Sequence, residues 1–309
     1  MKSILICGAG GFIGSHLTKY FKDQGHRVIG IDLKHPEFSP SHCDKYIIAD
    51  LRDKKYLEDI VNMDIDEVYQ LAADMGGAGY IFSGDHDAKI SSDNALININ
   101  ILDMLKKHNV KKVFYASSAC VYSNATCEES SAYPAEPDSE YGWEKLFSER
   151  LYLSYRKNHG IDCRIARFHN IFGPEGTWQG GREKAPAALC RKIIKSSDNE
   201  IEVYGSGDQT RSFLYIDECV KGIDKIMNSG YHLPLNLGSE RAISINDLTH
   251  LIAKLAYKEV KIKNIDNGLQ GAASRVSHNA LLEKHTGWKP SDTLEEGLKK
   301  TYAWIVSQI

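Results

Sequence analysis

No stretch of the sequence approaches the ~18 consecutive apolar residues that a membrane-crossing helix requires, so no helical membrane anchor is expected within it. An excess of one charge sign is also lacking. Lys and Arg number 38 against 41 Asp and Glu, and the formal net charge of −3 leaves no electrostatic footprint for nucleic acid. No two of the seven cysteines stand in Cys-x-x-Cys spacing. An odd, scattered set argues against a disulfide framework or a zinc site and fits reduced thiols in a cytoplasm. Internal repeats and low-complexity linkers are absent. Only Met1–Cys7 precede a glycine-rich loop, too short a lead for a signal peptide, so a cytoplasmic location is expected. What is present is ordinary globular composition over 309 residues, enough to bury a large core in one domain or two lobes.

Short apolar runs alternate with amphipathic stretches through the first half. Ser3–Cys7, Arg27–Ile31, Glu67–Leu71, Lys112–Ala116 and Cys163–Arg167 read as strands; Phe12–Gln24, Asn94–His108 and Tyr141–Asn158 read as helices. That alternation predicts an α/β fold, a Rossmann-type doubly wound parallel sheet covered on both faces. Gly173–Lys184 is glycine-rich and poor in apolar residues, which predicts a long loop, and long loops in compact domains are often functional. The helical segments after it, Ala187–Lys195, Ile216–Asn228, Ser244–Ala256 and Leu294–Ile309, partly rejoin the sheet and partly build a smaller C-terminal lobe. The expected division is 1–170, with return segments near 207–240, and 171–309 as mainly a substrate-binding lobe.

The first strand runs directly into Gly8-Ala9-Gly10-Gly11-Phe12-Ile13-Gly14, which opens the first helix. Glycines at 8, 11 and 14 permit a tight turn, close approach of backbone to a pyrophosphate, and close helix–strand packing; Phe12 and Ile13 supply the first helical amides. Asp32 closes the second strand about 20 residues on, where a carboxylate binds the ribose hydroxyls of NAD and repels the 2′-phosphate of NADP. Lys34 softens that preference. Asp50 and Leu51, after the third strand, are candidates to contact the adenine, or form a simple turn.

Ser118 and Cys120 precede a Tyr141-x-x-x-Lys145 pair. Tyr141 and Lys145 project from one helix face. A tyrosine beside an ammonium ionises more easily and can take a proton from a sugar hydroxyl. A nearby thiol adds an acid/base suited to carbon acids. The glycine motif, Leu71-Ala72-Ala73, Ser118 and the Tyr141/Lys145 pair together resemble the extended short-chain dehydrogenase/reductase family of nucleotide-sugar epimerases and dehydratases, over nearly the whole chain. The resemblance implies that Ser118 and Tyr141 meet the substrate hydroxyl and that Lys145 holds the nicotinamide ribose.

Longer runs sharpen it. Leu71–Gly77, Ala116–Cys120, Pro134–Pro137, Phe168–Pro174, Gly180–Pro186 and Asp208–Phe213 are similar to the 3,5-epimerases of GDP-linked sugars within that family. Ala119-Cys120 stands where dehydratases carry Asp-Glu. The resemblance implies Cys120 and Lys184 as the acid/base pair, exchanging protons at C3 and C5 of a sugar transiently oxidised at C4. It favours Arg211 and Arg275 for the diphosphate, although each could instead pair with a carboxylate. Gly76 lies in a loop beside the reacting sugar. His169 and Asn170 border the sugar, with a satisfied structural histidine as the other reading of His169. Arg191 and Lys192 face the nucleotide or solvent, Trp178 caps the pocket or packs, and Cys127, beside Glu128 and Glu129, reads as non-catalytic. The family also implies a homodimer through the helices at 94–108 and 141–158. Two stretches depart from plant members of that branch, Phe82–Lys89 and the short loop Ser123–Thr126, and they leave open whether the sugar is mannose or a heptose and whether one or two centres invert. The rival readings are another enzyme on the same scaffold (a 4-epimerase, decarboxylase or reductase) and a non-enzymatic dinucleotide-binding regulator.

Overall fold

A computed structural model describes residues 1–60, 63–123, 126–265 and 272–309. Seven strands form the central sheet: β1 (Ser3–Cys7), β2 (Arg27–Asp32), β3 (Lys45–Ile48), β4 (Glu67–Gln70), β5 (Lys112–Ser118), β6 (Asp162–Phe168) and β7 (Leu235–Leu237). Their order is β7-β6-β5-β4-β1-β2-β3, and every pairing is parallel. The chain winds outward from β1 in both directions, the doubly wound arrangement expected.

The strand β1 shows why the sheet is covered on both faces. Its side chains alternate between two separate cores: Ile4 and Ile6 join one, Leu5 and Cys7 the other, and all four are fully buried. A strand buried on both sides must be apolar throughout, and Ile-Leu-Ile-Cys is. The first face is covered by α1 (Phe12–Asp23), packed on a helix at Ile216–Met227. The second is covered by α2 (Asp87–Lys107) and α3 (Glu140–His159), packed on each other. The helix α2 begins at Asp87, well before the expected Asn94. Its first turns are polar and carry no apolar periodicity, yet Asp87 suits the positive N-terminal end of the helix dipole and Lys106 and Lys107 suit the other end. The Ser139 hydroxyl caps α3 by accepting from the Gly142 amide at 3.2 Å.

Beyond β6, residues 173–184 contain neither helix nor strand, as the glycine content predicts, and lead into α4 (Ala185–Lys195). Leu235–Leu237 returns to the sheet as β7, while a four-stranded sheet places Thr210–Arg211 between Ile243–Ser244 and Ser274–Ser277, with Thr126–Cys127 at its far edge. The first core runs without a break from β1 and α1 to the C-terminal helix Leu294–Val306.

Candidate active site at the carboxyl edge of the sheet

The loops after β1 and β4 face each other where the winding direction reverses. Gly8 adopts φ +85°, and a Cβ there would lie 2.7 Å from the Ala72 amide; a Cβ on Gly14 would lie 2.0 Å from the Gly8 carbonyl. A Cβ on Gly11 would meet only the Gly8 oxygen, at 3.4 Å, so this side of the turn is open for a ligand. The helix α1 has no side-chain cap and no carboxylate in its first turn, which leaves the Phe12 and Ile13 amides for an anion. Asp32 ends β2 and accepts from the Gly10 amide at 3.0 Å. These residues fit a dinucleotide: an open helix N-terminus for the pyrophosphate and a carboxylate for the ribose. Lys34 pairs with Glu37 at 3.3 Å. A strap from Lys34 to Ser39 crosses the cleft, where the Ser39 hydroxyl donates to Glu175 at 2.8 Å. Asp50 follows β3, but its carboxylate is engaged by Arg52 at 2.6 Å, which holds it below its ordinary range. Leu51 is buried, and its carbonyl accepts from Asn100.

The second group is built on regular elements. Ser118 ends β5, and its hydroxyl accepts from the Cys120 amide at 3.2 Å, capping a single 3₁₀ turn that carries the thiol. Tyr141 and Lys145 lie buried on the first turns of α3. Lys145 Nζ donates to the Ala116 carbonyl at 3.1 Å and stands 5.0 Å and 5.5 Å from the ring centres of Tyr115 and Tyr141. Burial pushes the Tyr141 phenol well above its ordinary value; Cys120 and Glu144 add to this and Ser118 opposes it. Burial likewise pulls the Lys145 amine down, against Glu144, Cys120 and Glu149. The expected easing of Tyr141 ionisation by Lys145 is therefore overridden by desolvation in this cleft.

Lys184 reaches the same place from the long loop. It is the N-cap residue of α4, and its backbone neighbours rest on the β4 loop: the Gly77 amide donates to the Arg182 carbonyl at 3.0 Å, and a Cβ on Gly77 would lie 2.4 Å from the Glu183 oxygen. Gly76 adjoins this seam. Burial pulls the Lys184 amine below its ordinary value, while Cys120 and Cys219 act the other way. The thiol of Cys120 is thus close enough to Tyr141, Lys145 and Lys184 to influence each.

The arginines divide. Arg211 and Arg275 are register partners on the small sheet. Arg211 donates to the Thr210 carbonyl at 2.7 Å; burial, then the charge of Arg275, pull it below its ordinary value, the state of a cation short of an anion. Arg275 has company already. It donates to Cys120 Sγ at 3.5 Å, to Asp138 at 2.7 Å and to the Tyr122 carbonyl at 3.2 Å. Its guanidinium lies against the thiol and a carboxylate, the carboxylate pairing being the other reading of this residue.

Of the two readings of His169, the geometry matches the structural one. It is fully buried, its Nε2 is bonded to Asn236 Oδ1 at 3.1 Å, and burial pushes its pKa down to about 4. It is a neutral structural histidine behind the site. Asn170 beside it is partly exposed, at φ +44°, and donates to the Ser212 carbonyl at 3.0 Å. Trp178 is buried in the first core. Arg191 is paired with Glu183 at 2.6 Å, and Lys192 donates to the Glu202 carbonyl at 2.6 Å. Burial, and not the neighbouring carboxylates, raises Cys127; Arg275 and Arg211 oppose it. Phe82–Lys89 spans the end of a short helix (Ala78–Ile81) and the start of α2, whereas Asn124 and Ala125 lie outside the described residues.

Sequence reasoning missed the network behind the site. Asn98 on α2 joins Gln70, Glu144, Ser148 and Tyr152, and Gln70 in turn holds the backbone of Ala72. These are polar residues spread over three elements, and no local pattern marks them.

The chain matches the model of the NAD dependent epimerase/dehydratase family over residues 4–238. It is 44% identical over 315 residues to GDP-mannose 3,5-epimerase 1 of Oryza sativa subsp. indica, covering 99% of this chain and 82% of the rice protein. Its fold is similar to that of UDP-N-acetylglucosamine 4-epimerase from Methanobrevibacter ruminantium M1 solved with UDP-N-acetylmuramic acid, with a TM-score of 0.88, 26% identity and coverage of 100% and 99%. UDP-glucuronic acid 4-epimerase from Bacillus cereus, solved with UDP-glucuronic acid and NAD, gives 0.85, 25%, 99% and 100%. The chain belongs to the NAD-dependent epimerase/dehydratase family and is an NAD-dependent isomerase.

Proposed function

We propose that the protein is a GDP-mannose 3,5-epimerase, or a close relative acting on another GDP-linked sugar. The observation that carries this reading is the convergence of Cys120 with Tyr141, Lys145 and Lys184, because a simple 4-epimerase has no use for the thiol or the loop lysine. NAD, held by Gly8, Gly11, Gly14, Phe12, Ile13 and Asp32, with Asp50 and Leu51 at the adenine, supplies reversible oxidation of C4 to a ketone, which acidifies the hydrogens on C3 and C5.

The chain's own residues do the rest. Ser118 orients the C4 hydroxyl, and Tyr141 Oη takes its proton and later returns it. Lys145 fixes the nicotinamide ribose. Cys120 Sγ and Lys184 Nζ stand on opposite sides of the ring: one removes the proton from carbon and the other delivers one to the other face, which inverts the centre. Both groups then exchange their roles or reprotonate. The lowered basicity of Lys184 suits it to this, since a neutral amine is accessible nearer to neutral pH. Arg211 receives the diphosphate, Asn170 borders the sugar, and residues 171–309 serve mainly as the substrate-binding lobe beside the NAD-binding residues 1–170. Leu96, Trp143 and Phe147, exposed on α2 and α3, support pairing into a homodimer through these helices. Seven free cysteines favour a cytoplasmic setting.

The test is proton NMR of GDP-mannose with the purified protein in D2O. Loss of both the C3 and C5 signals, with new epimer resonances, is the expected result. Loss at one centre assigns a narrower epimerase, and no exchange with NAD bound overturns GDP-mannose as the substrate.

A further inference from the structure

Lys184 occupies a weak position for an acid/base group. The loop that carries it contains two consecutive left-handed glycines, Gly180 at φ +91° and Gly181 at φ +87°, and a Cβ on either would touch nothing within 4 Å. No packed neighbour pins the backbone at either glycine, and glycine is permissive there. Arg182 comes next, on the Lys184 side of the two glycines. Its guanidinium donates to Asp74 at 3.0 Å and to the Met75 carbonyl at 3.3 Å, and its Cζ lies over the Tyr80 ring, 3.9 Å from the centre.

Asp74 is a prepared anchor. Its side chain is 11% exposed, against 47% for Arg182. It accepts from Tyr80 Oη at 3.1 Å to each oxygen and from Lys89 at 2.5 Å, and these donors hold it in the ionised form. Its backbone is fixed on both sides by Asn94, which accepts from the Asp74 amide at 2.6 Å and donates to the Asp74 carbonyl at 3.0 Å. The ion pair therefore joins the β4 loop to the loop ahead of α4, two residues from Lys184. On the far side Glu183 is tied to Arg191 and to the Gly181 amide at 2.7 Å.

The geometry assigns Arg182 as a positioning residue for Lys184: its clasp on Asp74 and Tyr80 closes the glycine-hinged loop and holds the amine over the sugar. The clasp bridges the β4 loop and the loop ahead of α4, so releasing it frees the side of the cleft that carries Lys184. This inference rests on the proposed role of Lys184, and its experiment separates the two.

Wild-type protein, Arg182→Ala, Arg182→Lys and Lys184→Ala are compared in D2O with GDP-mannose, with NAD content and melting temperature measured for each. Arg182→Ala is expected to keep NAD and melt near the wild type, lose ~10-fold or more in turnover, and accumulate sugar that has exchanged carbon protons without inversion, because Cys120 still removes and returns a proton on its own face while the opposite face lacks its placed partner. Arg182→Lys retains the charge without the planar fork and stacking, and recovers only part of the loss. Asp74→Asn repeats the Arg182→Ala pattern. If Arg182→Ala turns over and partitions its products as the wild type does while Lys184→Ala does not, the clasp is overturned and the role of Lys184 stands. If Lys184→Ala is itself as active as the wild type, the reading beneath both is lost.

Discussion

The two groups proposed as acid and base are held in opposite ways. Cys120 sits on a rigid wall, a 3₁₀ turn between β5 and α3, capped by Ser118 and contacted by a buried Arg275. Behind that wall Arg167 and Glu149 form a buried bidentate pair, at 2.8 and 2.6 Å, and Glu149 accepts from Ser117 at 2.5 Å. Lys184 sits on a loop fixed by two partly exposed ion pairs beyond a pair of open glycines. One group is placed by the fold and the other by contacts that can be undone one at a time. On the proposed function, one fixed side and one side held by separable contacts suit a site that encloses a sugar nucleotide.

The largest effect is expected from the wall's own chemistry. Cys120→Ser preserves the shape of the turn and bound NAD, and lowers double inversion by ~10²–10⁴-fold, the range for loss of a positioned acid/base. Wild-type turnover in this variant removes the thiol from the mechanism. Tyr141→Phe should be as severe, with loss of exchange at both carbons at once, because the ketone that acidifies them no longer forms.

Next comes the support of the wall. Glu149→Gln keeps the volume but leaves the Arg167 charge buried without a counterion, which costs about 3–5 kcal/mol. Urea unfolding reads this directly, and a loss below about 1 kcal/mol contradicts the rigid-wall description. The corresponding change on the loop, Glu183→Gln, should cost well under half as much, since Arg191 is partly exposed and exposed pairs contribute little.

The wall also has a pH signature. His169 is neutral in the fold with a pKa of about 4, against 6.5 when free, because it is buried and stands near Arg275 and Arg167. Between these values the unfolded chain binds the additional proton, so stability falls as pH drops through 6.5 and the loss is complete below about 4. The expected contribution is about 3 kcal/mol. His169→Gln should reduce the difference in stability between pH 7 and pH 4 by that amount; an unchanged difference would show that His169 is not held neutral.

How much of this is legible in the sequence follows from the range of each interaction. Glycines 8, 11 and 14 and Asp32 announce the tight turn after β1 because that geometry is local: a turn, a helix start, a strand end. Ser3–Cys7 is recognisable as a buried strand from five residues. Cys120 and Lys184 are legible through their runs of neighbours. Arg275 against Cys120 joins residues 155 positions apart, and Arg182 against Asp74 joins residues 108 apart. No spacing predicts such pairs, because the small sheet and the β4 loop bring them together only after folding. His169 keeps two readings in the sequence for the same reason: it follows β6, and only the return of β7 at 235–237 buries it against Asn236. The polar first turns of α2 are invisible to apolar periodicity, although Asp74 hangs from Asn94 on that helix.

The smallest expected effect is the sharpest comparison of wall and loop, because the same chemical change is made in both. In the cofactor turn, Gly14→Ala drives a Cβ to 2.0 Å from the Gly8 carbonyl, two backbone segments that cannot both move without opening the turn, so the protein should lose NAD. In the loop, Gly180→Ala meets no atom within 4 Å, and its only penalty is the left-handed backbone, about 1 kcal/mol. The folded protein and its bound NAD should survive. If the hinge matters for positioning Lys184, that ~1 kcal/mol acts on the balance between closed and open loop and lowers turnover by ~5-fold. The effect should vanish in a Lys184→Ala background, where there is no longer an amine to place. A Gly180→Ala loss that persists at full size in that background would mean the loop serves substrate entry alone, and the contrast between fixed wall and clasped loop would then concern binding rather than proton transfer.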